Sequence, residues 1–375
     1  MSNALNLTML IGPGVPVPAP RELVDALDSV EVTSGTTQSG FQLSFTVGKT
    51  SRLMTTLLPS GFLDPVITRV VLIATVRGIP QVLMDGVVTR HELSPASQPG
   101  KSRLTVTGED LSLLMDLVQM PFMRFPAMPV IARVYAILAK YAAVGIIPAA
   151  IPPIIPETTT PLEALPSQTG TDLDYIRQLA RGCGYVFYVE PGPAPFTSIA
   201  YFGPDLRIPV PQPALSVNMD AHTNVESLSF SLEGDKKKVD VFFVLDPATR
   251  KITIPVPVPN LSVLRPPLGA RLPPPRRIEF PAGMGKMSVA AAANRALASS
   301  FAASDSVTGR GSLDVSRYGR VLRSRMLVGV RGAGITYDGL YYVNSVTHTL
   351  KRGEYKQSFT LSRDGLISPT PVVPV

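Results

Sequence analysis

Residues able to carry out covalent or metal chemistry are sparse in this sequence. It has one cysteine in 375 residues, and its three histidines lie far apart, at His91, His222 and His348. A zinc or redox site of the CxxC type needs paired cysteines, and a metal site needs several ligands at suitable spacing. We therefore expect no disulfide, no metal site and no cofactor. Cys183 lies between two glycines, and we interpret it as a small residue in a turn.

Two other patterns resemble catalytic motifs, but each fits a structural role better. Asp172 and Asp174 could act as a carboxylate pair, yet with Thr171 they form a Ser/Thr-x-x-Asp/Glu capping box, which is typical of the start of a helix. The segment 283–286, Gly-Met-Gly-Lys, lacks the first glycine and the Ser or Thr after the lysine that a phosphate-binding loop requires. We therefore predict that the chain is not an enzyme.

The strongest candidate interaction site is a cluster of arginines near the C-terminus. Its members are Arg317, Arg320, Arg323, Arg325 and Arg331. One interpretation is a solvated or protein-contacting surface, and the other is a site for a polyanion. The charge distribution leaves both open. Residues 250–375 carry 18 Lys and Arg against 6 Asp and Glu, a net of +12, whereas residues 1–249 carry 17 against 22, a net of −5.

Strands are predicted at both ends of the chain. The clearest run, residues 41–47, alternates apolar with polar side chains, which is the period-two pattern of a half-buried strand. Several such runs in the first 110 residues, separated by Gly and Pro, predict a β-barrel or a β-sandwich. Strands are predicted again after residue 225, at 228–232, 239–245, 325–331, 340–350 and 355–363.

A mixed segment lies between these β-rich parts. We predict a short helix over 110–120, a second helix beginning at Pro129, and a third over 172–181 that starts with the capping box. A strand over 185–189 follows the third helix.

Proline makes up 38 of the 375 residues, and it is concentrated over 246–286. We interpret that segment as an extended arm, followed by an Ala-rich helix over 288–303. The chain is thus predicted to be a β-rich α+β protein. Its expected parts are a first β-barrel over 1–110, a mixed α/β insert over 111–215, and a second β-barrel over 216–375 with the Ala-rich helix packed on it.

No segment predicts a membrane span or a signal peptide. The most apolar stretch, residues 144–155, contains three prolines and is shorter than the roughly 20 residues that a span needs. The N-terminus lacks the basic residues that begin a signal peptide. We therefore expect a soluble protein made in the cytoplasm.

Two stretches, taken together, resemble a known family. The first is residues 171–189, TDLDYIRQLARGCGYVFYV, and the second is residues 328–363, which include VGVRGAG and YDGLYYVNSVTH. They resemble parts of phage late control D proteins and of the hub of VgrG-type spikes. The order of elements also fits this family over residues 25–365.

The resemblance implies a mechanical function. Proteins of this family contain two tail-tube-like β-barrel domains, so that a homotrimer presents six barrel units and joins a hexameric tail tube to a trimeric spike. The implied partners are two further copies of the chain, the tail tube protein, a trimeric spike protein and baseplate wedge proteins. No membrane is implied, and nucleic acid enters only by passage through the lumen. The implied location is the baseplate of a virion tail or an injection particle, assembled in the host cytoplasm.

Two features depart from the family pattern. Many VgrG-type relatives continue into a needle, whereas this chain stops after a Pro-rich tail, so we expect the spike to be a separate protein. The arm over 246–286 is long, and we expect it to reach a neighbouring subunit or a baseplate protein. The alternative function, a basic nucleic-acid-binding protein that uses the Arg317–Arg331 surface, stays open.

Overall fold

The protein is β-rich and has few helices. The computed structural model describes residues 6–36, 38–98, 100–121, 123–153, 166–207, 210–234, 238–242, 256–257, 266–274, 277–279 and 305–370. The predicted Ala-rich helix over 288–303 and most of the arm over 246–286 lie outside these ranges.

The strands in the first half of the chain are β1 (Asn6–Pro13), β2 (Val17–Pro18), β3 (Leu27–Ser34), β4 (Ser39–Val47), β5 (Thr68–Val76), β6 (Ile79–Ser94), β7 (Ser102–Asp110) and β8 (Ile146–Ala150). Those in the second half are β9 (Val186–Pro191), β10 (Ser198–Gly203), β11 (Gln212–Ser216), β12 (Ser227–Leu232), β13 (Lys238–Phe242), β14 (Val256–Pro257), β15 (Arg277–Glu279), β16 (Val307–Asp314), β17 (Leu327–Arg331), β18 (Gly339–Lys351) and β19 (Glu354–Arg363).

In the described ranges the α-helices are α1 (Arg21–Ala26), α2 (Val130–Leu138), α3 (Asp172–Cys183) and α4 (Val315–Tyr318). Short 3₁₀ helices cover Leu111–Met115, Ala139–Val144 and Asp220–His222, and a π-helix covers Leu53–Leu57.

One large sheet joins the two ends of the chain. Its strand order is β12-β16-β19-β18-β3-β4-β7-β6-β5-β1-β2, with β17 and β11 added beside β18, and every pairing along this path is antiparallel. The two β-rich parts meet where β18 pairs with β3, from Val346 opposite Ser34 to Lys351 opposite Ser29. Within the described ranges this sheet does not close, so two separate closed barrels are not seen there.

The main core lies on one face of this sheet. Alternate residues of the central strands, such as Val30 and Val32 in β3 and Leu43 and Phe45 in β4, are fully buried. They pack in one cluster with side chains from the last strands, including Leu361 of β19. The strict alternation follows from the period of two in strands, which sends every second side chain to the opposite face.

The mixed insert has its own core. α2, α3 and the three-stranded sheet β8-β10-β9 bury a second apolar cluster that includes Val134, Ile176 and Phe202. α3 begins as predicted, because the Thr171 hydroxyl accepts a hydrogen bond from the Asp174 amide at 3.2 Å. It ends at Gly184, which has a φ of 72° that suits glycine.

Several local predictions need correction. The helix expected over 110–120 is a 3₁₀ helix of five residues that ends before Asp116. Pro129 is the N-cap of α2 and not its first helical residue. β6 begins at Ile79, and the preceding hairpin turns at Arg77 and Gly78, whose φ values are 51° and 81°. β16 is a strand that the sequence pattern did not reveal, because its two glycines interrupt the alternation.

Candidate functional surface

The face of the large sheet opposite the core is lined by hydroxyl and charged side chains. We define this polar face as the outward positions of eight adjacent strands, from β12 at one end to β6 at the other. One register row crosses five of these strands, through Ser227, Ser312, Ser358, Thr347 and Thr33. Residues opposite each other in register share a face, so these hydroxyls form a continuous row.

A second row extends the polar face into the other half of the sheet. It runs through Lys356, Thr349, Glu31, Gln42, Thr107 and Arg90. The two rows overlap at β19, β18 and β3, so the face is continuous across the junction between the two β-rich parts.

Hydroxyl pairs connect neighbouring strands on this face. Ser227 Oγ and Ser312 Oγ lie 2.8 Å apart, and Thr33 Oγ1 and Thr347 Oγ1 lie 3.2 Å apart across the β18–β3 junction. Short hydroxyl side chains of this kind form hydrogen bonds with one another and with water, and they expose little apolar area.

Charges on the polar face are mixed in sign. Arg90 forms an ion pair with Glu92, and Lys356 lies 2.9 Å from Glu226 and 3.4 Å from Glu354. These exposed pairs contribute little to stability. Because opposite charges alternate, the face lacks the single-sign field that attracts a polyanion.

The polar face ends at two strand segments that are paired on one side only. Among the described residues, β12 pairs with β16 alone, and residues 90–94 of β6 pair with β7 alone. β5 pairs with the opposite edge of β6 only as far as Val87. On the core side, each of these edges leaves a leucine partly exposed, with Leu93 at 38% and Leu232 at 43%.

The five arginines expected to form a surface cluster do not all share one environment. Arg317, Arg320 and Arg323 are exposed, and Arg331 is half-buried in β17. Arg325 is buried, with 9% of its surface exposed, so it does not belong to an exposed cluster. The sequence could not reveal that Arg325 is buried, because the residues that contact Arg325 come from distant parts of the chain.

Arg325 connects the insert to the large sheet. Its guanidinium lies 4.0 Å from the centre of the Tyr188 ring and 3.4 Å from Glu190, and both residues belong to β9 of the insert. Its Nε also donates to the Thr36 carbonyl, in the β3–β4 connection, at 3.3 Å. Cation–π and ionic contacts to a desolvated guanidinium are stronger than exposed ones. Arg325 therefore holds three regions of the chain together.

A cavity of about 220 Å³ lies at the same junction. Its lining includes Tyr188, Arg323, Arg325 and His348. Burial, with a smaller effect from Arg323, lowers the pKa of His348 to about 3, so its ring is neutral near pH 7. Tyr355 Oη lies 2.8 Å from its Nδ1, which fixes the ring in place. Near pH 7 this ring is therefore an uncharged packing residue.

A second buried arginine was also missed by sequence reasoning. Arg207 bonds both carboxylate oxygens of Asp305, at 2.9 and 2.6 Å, and its guanidinium lies 4.7 Å from the centre of the Tyr342 ring. Tyr342 in turn donates to Asp205 at 2.7 Å. This cluster ties the end of the insert to β18.

In the described ranges, no group of three or more His, Cys, Asp or Glu side chains could hold a metal ion. Within the same ranges, no helix has the length and apolar character needed to cross a bilayer.

Solved structures with the same architecture come from phage tails and secretion systems. The tail protein from Neisseria meningitidis MC58 is 13% identical and superposes with a TM-score of 0.64, over 97% of this chain and 98% of that one. The 43 kDa tail protein of prophage MuSo2 from Shewanella oneidensis is 13% identical with a TM-score of 0.61, over 97% and 100% of the two chains. This chain has the tail-protein fold.

A component of the Escherichia coli type VI secretion system also matches, with 12% identity and a TM-score of 0.52 over 92% of this chain and 77% of that one. That protein is itself structurally similar to tail proteins of bacteriophage T4. The resemblance to the VgrG and tail-hub family seen in the sequence is therefore confirmed at the level of the fold. Comparison with family models gives no match, and comparison with curated proteins gives none either.

Proposed function

We propose that this chain is the structural hub of a contractile tail or injection-system baseplate. It acts as a homotrimer whose two β-rich parts per chain form a pseudo-hexameric ring. This ring joins the hexameric tail tube to a separate trimeric spike, with baseplate wedge proteins around it. The chain has no catalytic role in this function.

The observation that carries the proposal is the continuous polar face. It crosses the β18–β3 junction and so includes strands from both β-rich parts. A wall of hydroxyls and balanced charges suits a passage, because transported molecules find little on it to adhere to. The similarity in fold to tail proteins supports the same conclusion.

The proposal is tested by the mass and composition of the native particle. We expect a complex of three chains, three times 40.1 kDa or about 120 kDa, that co-purifies with a tube protein and a spike protein. Native mass spectrometry of the tagged full-length chain, purified from producing cells, measures both. A monomer with neither partner would contradict the proposal.

A further inference from the structure

We propose that the cavity between the insert and the large sheet binds an acidic side chain on an extended segment of a partner protein. One wall of the cavity is β9 of the insert, and another is residues 321–326, which connect α4 to β17. Residues 81–83 of β6 complete it. The inference goes beyond the proposed hub function, because it concerns the folded chain itself and needs no particular assembly.

The cavity lining carries an excess of positive charge. Its charged members are Arg323, Arg325 and Glu190, so two guanidinium groups accompany one carboxylate, and His348 is neutral near pH 7. The contact between Arg325 and Glu190 is long, at 3.4 Å, whereas strong charge-assisted bonds measure roughly 2.7–2.9 Å. Arg323 is exposed and forms no ion pair with any residue in the described ranges. A negatively charged acceptor therefore suits this cavity better than a cation.

Two buried polar atoms at the cavity lack partners, and they are of opposite kinds. Nη2 of Arg325 is a donor and Oε1 of Gln81 is an acceptor, and neither has a hydrogen-bond partner in the part of the chain that the structure describes. Both residues line the cavity, and the Arg325 side chain is only 6% exposed. Leaving such groups unpaired is unfavourable. A peptide segment supplies both partners, since its carboxylate accepts and its backbone N–H donates.

The size of the cavity favours part of a larger partner over a whole small molecule. Its volume is about 220 Å³, which is below the roughly 300–1,000 Å³ of typical small-molecule sites. The lining also includes the apolar side chains of Leu83, Val321 and Met326. An apolar residue beside the acidic one can therefore bury area against them.

The wall formed by residues 321–326 is held in place at two successive residues. The side-chain oxygen of buried Gln357 accepts from the Leu322 amide at 3.0 Å, and its nitrogen donates to the Leu322 carbonyl at 2.8 Å. Gln212 makes the same pair of bonds to Arg323, at 2.8 and 2.9 Å. Because this wall is already ordered, binding loses little conformational entropy there.

Peptide binding tests the site. We expect acetyl-Glu-Leu-Glu-amide, labelled with an uncharged fluorophore, to bind the full-length chain at least about tenfold more tightly than acetyl-Gln-Leu-Gln-amide. Fluorescence anisotropy measures both affinities. The acidic peptide alone should raise the midpoint of thermal unfolding, because a ligand that binds the folded state stabilises it.

Substitutions locate the binding to the cavity. We expect Arg323→Met to weaken binding of the acidic peptide by about tenfold, since the carboxylate loses a charged partner. The matched control is Arg317→Met, which should bind as the wild type does, because Arg317 is also exposed but does not line the cavity. Gln81→Leu should also weaken binding, because it removes the acceptor for the peptide backbone. Far-UV circular dichroism checks that each variant is folded.

Three outcomes would overturn the inference. The first is equal binding of the acidic and neutral peptides, or no binding of either. The second is an equal loss in Arg323→Met and Arg317→Met, which would indicate attraction by the overall positive charge. The third is displacement of the acidic peptide by inorganic phosphate at the same concentration, which would indicate a site for a free anion. None of them bears on the hub proposal, which depends on the mass and composition of the native particle.

Discussion

At the scale of single residues, Arg325 shows how one side chain can serve the fold. Its backbone has a φ of 60°, a conformation that is uncommon outside glycine. The surrounding contacts to Tyr188, Glu190 and Thr36 hold it there. The insert and the large sheet are therefore held together in part by one charged group.

We predict that Arg325→Met lowers the free energy of unfolding by about 2 kcal/mol, because it removes the cation–π contact and leaves Glu190 unpaired. Urea unfolding followed by circular dichroism measures the change. Arg323→Met is the matched control, since Arg323 is an exposed arginine of the same segment. We expect the control to change stability by less than about 0.5 kcal/mol. Equal effects for the two variants would contradict the assignment.

His348 gives a prediction about pH. Its pKa in the folded protein is about 3, whereas an unfolded histidine has a pKa of about 6.5. Between these values the unfolded chain binds the proton and the folded chain does not, so this residue makes stability fall as the pH is lowered. We expect His348→Gln to reduce the slope of unfolding free energy against pH between about pH 6 and 4, by up to about 1.4 kcal/mol per unit.

The control for that experiment is His222→Gln, because His222 is exposed. We expect this variant to keep the wild-type slope. Buried Asp364, whose pKa is raised by desolvation, acts in the opposite direction and is present in all three proteins. Comparing the variants therefore isolates the histidine. An unchanged slope in His348→Gln would show that its burial does not govern the pH response.

At the scale of elements, the cap of α3 is a good test of local structure. The Thr171 hydroxyl accepts from the Asp174 amide and donates to Asp116 at 2.6 Å. We predict that Thr171→Ala destabilises the protein by about 1–2 kcal/mol, since both bonds are lost. Thr171→Ser keeps the hydroxyl and should remain within about 0.5 kcal/mol of the wild type. Thermal and urea unfolding measure the difference, and equal losses in both variants would argue against capping.

Elements were predicted from sequence where their signals are local. The alternation in β4 and the capping box of α3 each lie within a few residues, and both predictions are confirmed. The pairing of β18 with β3 joins residues more than 300 positions apart, such as Thr33 and Thr347. No local pattern encodes that pairing.

The polar face did have a local signal in the sequence. In the Ser-x-Ser-x-Ser run of β12 the hydroxyl side chains recur with a period of two, which indicates that they share one face of a strand.

At the scale of the whole molecule, the charge pattern predicts weak binding to nucleic acid. The chain is basic, but the polar face has balanced charges and Arg325 is buried. We expect little retention on a DNA column at physiological salt. We also expect the triple variant R317Q, R320Q and R323Q to elute as the wild type does. Strong retention that these three changes abolish would favour the nucleic-acid-binding alternative.

The β18–β3 junction has a consequence for how such a protein evolves. Its six residue pairs are held mainly by backbone hydrogen bonds, which any residue except proline can supply. The side chains around it need only keep small polar groups on one face and apolar groups on the other. Substitutions that respect this alternation are therefore tolerated, and lineages can diverge widely while the architecture persists. A chain that shares only 13% of its residues with a meningococcal tail protein can therefore still superpose on it over nearly its full length.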